Sequence, residues 1–389
     1  MKSIGSVLDE HRGIGPGFDF LRIFLAVMVL LDHSFLIAEG EKYQFSQPGI
    51  TVLQAAILPM FFALSGFLIT GSAIRLRLKD FLLNRGIRIV PALAVDIVFA
   101  ALILGPLFTT VSLPTYFQSY EFWAYFANIF GVIHYVLPGV FEQNPFPSTV
   151  NGSLWTVPYE IGCYAIMSAL IIFGLLKRPF MALVATACVA VIIIALKVEN
   201  ISPSSMGGLF PPESSGYTLL NHFIGLRGLM LYVNFMLGSV FFLFRRFIPK
   251  HWTLAVISCI VPIAASFALP EVSGSTLCTI FAPMLVYLTV YVGMLRIPPI
   301  PLYHRGDYSY GIYLYGYPFQ QALVNLFPKL TSPCLHFVIS LPIATVIAMG
   351  SWHFIEKPIL RLRKKFSFTA QKGEEKEVLP QAAAVTRSA

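Results

Sequence analysis

Charged residues are scarce in this sequence of 389 residues. Asp, Glu, Lys and Arg make up 12% of it and hydrophobic residues 56%, whereas a soluble globular domain has about 25% charged residues. The composition therefore excludes a soluble globular domain.

The sequence also lacks the residue spacing of a metal-binding site and the glycine motif of a phosphate-binding loop. Its five cysteines lie in apolar segments and show neither metal-ligand nor redox spacing, and no phosphate-binding glycine motif is present. We interpret the cysteines as small core residues. The sequence therefore predicts no metal site and no bound cofactor.

Two further absences concern the membrane. No small-residue cleavage site follows the first apolar run, so this run is expected to be retained as a signal anchor. No internal repeat is recognisable, which disfavours a transporter built from repeated halves.

Apolar runs of about 20 residues, the length that spans a bilayer, are abundant instead. Ten of them lie at 18–38, 51–74, 89–110, 152–176, 179–197, 220–244, 252–270, 275–295, 308–327 and 333–355. They predict an all-α polytopic bundle of about ten transmembrane helices. A membrane domain at 18–358 would follow an N-terminal segment at 1–17 and precede a basic, then disordered tail at 359–389. Within 111–151, the segment "EFWAYFANIFGVIHYVLPG" is apolar but short. We therefore predict that this region is an interfacial or re-entrant element.

Basic residues set the expected orientation of these helices. Alternate connections carry clusters of Lys and Arg, at 75–88, 177–178, 245–251, 296–305 and 357–365. Because such clusters are retained on the cytoplasmic side, both termini are predicted to be cytoplasmic.

Ionisable side chains inside the first run are candidate functional groups, because each costs about 2.5–3.5 kcal/mol to insert into a membrane. Arg22 and His33 are three helical turns plus about 20° apart, so they share one face at a separation of about 16 Å. Asp19, one turn before Arg22, is its expected partner. Alternatively, Arg22 extends to the lipid headgroups and His33 makes a packing hydrogen bond.

Later runs hold further candidates, each with a structural alternative. Arg85 and Arg88, one turn apart just before the third run, suit a phosphate ligand but are also typical cytoplasmic charges. Glu160, about two turns inside the fourth run, needs a polar partner, either a catalytic group or an arginine such as Arg227. The remaining candidates would line a polar cavity, pack helices or lie at the membrane interface: Ser65, Trp155, Tyr159, Tyr310 and Tyr313.

Glu160 is predicted to face the same cavity as His33. Counted from Gly152 as the outer end of its helix, Glu160 lies about 12 Å deep, and His33 lies about 7–8 Å deep. A carboxylate there would favour the protonated histidine or hold the acceptor hydroxyl.

These features occur in an ordered set of motifs: "DFLRIFLAVMVLLDH", "FFALSGFLIT", "RGIRIVP", "NGSLWTVPYE", "GDYSYGIYLYGYP" and "FIEKP". Their order and spacing resemble the acyltransferase-3 family. Its members are membrane O-acyltransferases that modify bacterial surface polysaccharides, lipopolysaccharide O-antigens, nodulation factors and some antibiotics. The likeness extends from Asp19 to about Pro358, and Phe20 departs from the glycine that many members have there.

The resemblance implies an acyl-CoA-dependent O-acyltransferase of the bacterial inner membrane, with acetyl-CoA as the expected donor. The acceptor would be a hydroxyl of a glycan or glycolipid, with no nucleic acid involved. His33 would act as the base or carry the acyl group, Arg22 would support the donor, Arg85 and Arg88 would bind the CoA phosphates, and Ser65 would stabilise the oxyanion. The alternatives are a transporter or flippase for a lipid-linked saccharide, and transfer of succinyl or another acyl group.

Overall fold

The computed structural model describes residues 2–366 except 12, 14, 41–46, 199–225, 299, 302, 304 and 305. The tail at 367–389, for which disorder is predicted, lies outside the described residues. So do the first residues of the sixth apolar run, at 220–225.

The described residues form helices and no β-strand, which confirms the all-α prediction. The α-helices are α1 (Ile4–Glu10), α2 (Phe18–Glu39), α3 (Pro48–Ala73), α4 (Leu78–Phe99), α5 (Gly105–Phe108), α6 (Leu113–Gln118), α7 (Tyr120–Tyr125), α8 (Val157–Ile172), α9 (Pro179–Val198), α10 (Leu226–Leu243), α11 (Trp252–Ala268), α12 (Gly274–Ile280), α13 (Ala282–Gly293), α14 (Ser309–Leu326), α15 (Pro333–Ser351) and α16 (Lys357–Phe366). Short helical turns supplement them: 3-10 helices at Phe126–Phe130, Gly152–Thr156 and Leu175–Lys177, and π-helices at Ala100–Leu104 and Trp352–Glu356.

Each of the ten apolar runs contains a helix, but not every helix is long enough to cross a membrane alone. Within the described residues, five segments have the required length and hydropathy: Phe18–Glu39, Pro48–Ala73, Leu78–Phe108, Gly152–Ile172 and Pro333–Arg361. The pair α12 and α13 would make a sixth, although the two are bent by 80°. A multi-pass membrane protein is supported, and ten crossings with cytoplasmic termini stay predictions.

The helix of the third apolar run begins much earlier than predicted, at Leu78 rather than at residue 89. The prediction that Arg85 and Arg88 precede this helix is therefore wrong, because both lie inside α4. The charged stretch continues the helix because it contains no proline before Pro91 and buries Phe81 completely on the inner face.

The stretch 111–151 contains only short helices and irregular backbone, as expected of an element that does not cross the membrane. Its second half is fastened to α14 by side-chain amides. Gln321 Nε2 donates hydrogen bonds to the carbonyls of Phe146 and Thr149, both at 2.9 Å, and Asn144 Nδ2 donates to Gln321 Oε1 at 2.7 Å. The chain then enters the bundle interior, where Asn151 is fully buried.

α3 and α10 approach closely because glycine lies at their contact. A side chain at Gly66 would collide with the carbonyl of Phe235, and one at Gly238 would collide with the carbonyl of Ala63. The packing interpretation of the "SGF" motif thus holds for Gly66. The preceding Ser65 lines the cavity described next.

Candidate active site

A cavity of about 480 Å³ lies between α2, α3, α4, α8 and α14. Along α3 it extends from Ser72 to Leu58, which is about 21 Å of helix. We call the end beside the start of α2 and α14 the arginine end, and the end at Leu58 the inner end. The cavity brings together eight of the residues predicted from the sequence: Asp19, Arg22, Ser65, Arg85, Arg88, Glu160, Tyr310 and Tyr313.

Asp307, just before α14, joins two of the three arginines at the arginine end. Its Oδ2 accepts hydrogen bonds from Arg22 Nη1 at 3.1 Å and from Arg88 Nη2 at 2.5 Å, and its Oδ1 accepts one from the Ser309 hydroxyl at 2.7 Å. Burial alone would raise the pKa of Asp307, but the charges of Arg88 and Arg22 outweigh it and hold that pKa below its usual range. Asp307 is thus ionised at neutral pH and fixes both guanidiniums in place.

Asp307 was not predicted as a site residue, although it belongs to the "GDYSYGIYLYGYP" motif. The predicted ion pair between Arg22 and Asp19 is present at 3.7 Å, but the Asp19 side chain is 92% exposed whereas that of Asp307 is only 18% exposed. Exposed ion pairs contribute little to stability. Asp307 is therefore the main partner of Arg22.

Arg85 presents the third guanidinium of the arginine end. Its guanidinium carbon lies 6.0 Å from the centre of the Phe81 ring. Within the described part of the chain, its Nε has no hydrogen-bond partner. The cavity thus offers a guanidinium group suited to an anionic ligand such as a phosphate.

Glu160 lines the cavity, where its Oε1 accepts a hydrogen bond from the Tyr164 hydroxyl at 2.7 Å. His33 is not among the residues lining this cavity, and a cavity shared by the two stays a prediction. The predicted depth of Glu160 was counted from Gly152 as the outer end of its helix. The neighbouring Asn151 is buried and donates a hydrogen bond to Asp96, so the turn before α8 packs against α4.

His33 lies on the far side of the inner end. Its ring meets the Tyr317 ring edge-on, with centroids 4.9 Å apart, and Tyr317 packs directly on the backbone of Gly152. Tyr317 follows the cavity-lining Tyr313 by one turn of α14, about 6 Å along the helix. Asp32 accepts a hydrogen bond from Gln54 Nε2 at 2.6 Å.

Trp155 and Tyr159, two other predicted residues, are not in the lining of this cavity. Trp155 packs against Tyr159 with ring centroids 5.9 Å apart, and Tyr159 packs against Tyr232 at 5.6 Å. Tyr159 thus joins α8 to α10, and the cavity role suggested for the two aromatics stays a prediction. Arg227 belongs to α10, but its side chain lies outside the described residues, so its pairing with Glu160 stays a prediction.

Comparison with known proteins agrees with this architecture. A family model described as an acyltransferase domain matches residues 16–353. The chain is 26% identical to an O-acetyl transferase of Shigella phage Sf6, over 88% of this chain and 95% of that protein. It is 27% identical to nodulation protein 10 of Rhizobium leguminosarum bv. viciae, over 91% of this chain and 96% of that protein.

A third relative is a Bacillus subtilis (strain 168) protein provisionally named as a peptidoglycan O-acetyltransferase. It is 26% identical over 90% of this chain and 55% of its own length. No solved structure matches the chain. Because the family model covers nearly the whole chain, the protein belongs to the acyltransferase-3 family of membrane O-acyltransferases.

Proposed function

We propose that this protein transfers an acyl group, acetyl in the first instance, from cytoplasmic acyl-CoA to a hydroxyl of a surface or exported glycan. The observation that carries the proposal is the elongated cavity with three arginines at one end and Tyr313 at the other, one helical turn before Tyr317, which contacts His33. CoA has phosphates at one end and its thioester at the end of a long, flexible arm. The cavity has its arginines at one end and leads toward His33 at the other, in the same order.

The arginine end would bind the CoA phosphates. Arg22 and Arg88 are held in place by Asp307, so little side-chain entropy is lost when the ligand binds. Guanidinium groups suit phosphate because they can donate two parallel hydrogen bonds. The apolar and aromatic side chains of α3, among them Phe61, would contact the arm of the donor.

The reaction breaks the C–S bond of the thioester and forms a C–O bond to the acceptor. His33 would take the proton of the acceptor hydroxyl and deliver it to the CoA thiolate. Alternatively, His33 would first accept the acyl group from CoA and then pass it to the acceptor hydroxyl. Ser65 lines the cavity about 10 Å along α3 from its inner end, and its role as a hydrogen-bond donor to the oxyanion stays a prediction. The bacterial inner membrane is the proposed location, because acyl-CoA is cytoplasmic and the glycan is exported.

The test is transfer by the purified protein in lipid nanodiscs. Acetyl-CoA and a cell-envelope glycan should together release CoA thiol, and mass spectrometry should show the glycan heavier by one acetyl group. Succinyl-CoA in place of acetyl-CoA identifies the preferred donor. A transporter would release no thiol from either donor, and that result would overturn the proposal.

Arg85 and Arg88 are expected to govern donor affinity. Each charge-assisted hydrogen bond is worth about 1.5–3 kcal/mol, so Arg85→Ala should weaken acyl-CoA binding by about tenfold or more in calorimetry. Arg85→Lys should recover only part of the loss, because an ammonium cannot make the paired contact. The exposed Arg246 gives a matched control, and Arg246→Ala should bind normally. Unchanged affinity in the Arg85→Ala/Arg88→Ala double variant would remove both residues from the donor site.

Glu160 is proposed to contact the donor arm, because it lines the donor cavity. Its carboxylate can accept a hydrogen bond from an amide N–H of the arm. The negative charge of the carboxylate also repels phosphates from this part of the cavity. Glu160→Ala removes this acceptor and should therefore raise KM for acyl-CoA and leave kcat close to that of the wild type. A fall in kcat with an unchanged KM would instead make Glu160 a partner of His33, as the sequence predicts.

A further inference from the structure

Tyr313 closes the inner end of the cavity. Its hydroxyl pairs with the Thr156 hydroxyl at 2.6 Å and lies 3.0 Å from the Ser153 carbonyl oxygen, to which it can donate. Its ring meets the Phe61 ring edge-on, with centroids 6.3 Å apart. Phe61, Thr156 and Tyr313 all line the cavity.

The turn that holds the Tyr313 hydroxyl is itself anchored. Asn151 Nδ2 donates to Asp96 Oδ2 at 2.9 Å and to the carbonyl of Leu314 at 3.0 Å, while Asn151 Oδ1 accepts from the Ser153 amide at 3.0 Å. The Gly152–Thr156 turn is thus tied to both α4 and α14. Rotation of the Tyr313 side chain is therefore the smaller movement that would open this end.

The cavity ends before His33 is reached. Ser309, Tyr310 and Tyr313 are the α14 residues in its lining, and Tyr317, one turn further along the helix, contacts His33. A group that advances from the arginine end meets the Tyr313 ring first. A larger group needs a larger displacement of that ring.

We infer that Tyr313 is a specificity-determining residue that closes the donor cavity toward His33 and admits only short acyl groups. The inference rests on the proposed function, since it assumes that the cavity binds acyl-CoA. A two-carbon acyl group passes after a small rotation of the tyrosine. A four-carbon group requires both hydrogen bonds of the hydroxyl to break and Phe61 to move.

The measurement is the ratio of kcat/KM for butyryl-CoA to that for acetyl-CoA. A pocket that excludes extra methylene groups discriminates by about 10–200-fold, so Tyr313→Ala should raise the ratio by a factor in that range. Tyr313→Phe and Thr156→Val each remove the hydroxyl pair and leave the ring in place. Both should raise the ratio in the same direction by a smaller factor.

The chain contains a matched control for this test. The Tyr303 hydroxyl pairs with the Thr345 hydroxyl at 2.8 Å, and neither residue lines the cavity. Tyr303→Phe therefore removes the same kind of hydrogen bond elsewhere and should leave the ratio unchanged.

The outcomes separate this inference from the proposed function. If wild-type protein releases thiol from neither CoA ester, the proposed function fails. If it transfers acetyl and Tyr313→Ala has the wild-type ratio, only the role of Tyr313 fails. Should Tyr313→Ala be inactive or unfolded, the Phe variant decides, because a wild-type ratio there overturns the inference.

Discussion

His33→Ala is expected to lower acyl transfer by about 10²–10⁴-fold, the usual effect of losing a general base. A sugar hydroxyl is a poor nucleophile, and histidine is the side chain whose proton affinity suits such a transfer near neutral pH. Turnover should be measured at saturating acetyl-CoA, so that a change in donor affinity does not contribute. Near-normal turnover in the Ala variant would remove His33 from the reaction.

A fully buried histidine elsewhere in the bundle separates catalysis from packing. His336 on α15 is fully buried and hydrogen-bonds through Nε2 with the Gln320 carbonyl at 3.1 Å. If His33 only packs helices, its Ala variant should resemble His336→Ala, and its melting temperature and turnover should fall together. A catalytic His33 instead loses turnover while its melting temperature stays near that of the wild type.

Asp307→Ala is expected to have the second-largest effect, on both stability and donor affinity. Removing the shared carboxylate leaves Arg22 and Arg88 side by side without their common partner. Breaking a buried ion pair costs about 3–5 kcal/mol, and the lower end applies because the arginine side chains are 28–30% exposed. Thermal unfolding in detergent and calorimetry with acyl-CoA measure the two effects.

Asp19→Ala is the matched control, because Asp19 pairs with the same arginine from an exposed position. An exposed pair is worth less than about 1 kcal/mol, so this variant should melt near the wild-type temperature. Equal melting temperatures for the Asp19 and Asp307 variants would show that the buried pair does not stabilise the arginine end.

Helix position was predictable to different degrees along the chain. The runs at 18–38 and 51–74 agree closely with α2 and α3, because an uninterrupted apolar run marks both ends of such a helix. α4 begins before its apolar run, because Lys and Arg favour the helix about as strongly as Leu does. The predicted boundary was set by hydropathy alone. The same error placed Arg85 and Arg88 before the helix, whereas both lie inside α4.

The candidate site was predictable where its residues share a helix and not where they meet across the bundle. The pair of Arg22 and Asp19 follows from helical spacing and is present. Asp307 lies 285 residues from Arg22, and no local pattern marks such a contact. Likewise, no local pattern predicts the hydrogen bond of Asn151 to Asp96, which joins the turn before α8 to α4.

The sequence by itself determined that this protein is a helical membrane bundle and, through its ordered motifs, that it belongs to the acyltransferase-3 family. Both follow from local information, since hydropathy and motif order are read along one chain. Only the packing of the helices shows that Asp307 joins Arg22 to Arg88, that Glu160 lines the same cavity as the three arginines, and that Tyr313 lines it one helical turn before Tyr317, which contacts His33. These contacts join helices distant in sequence, and their geometry depends on how all the helices pack together.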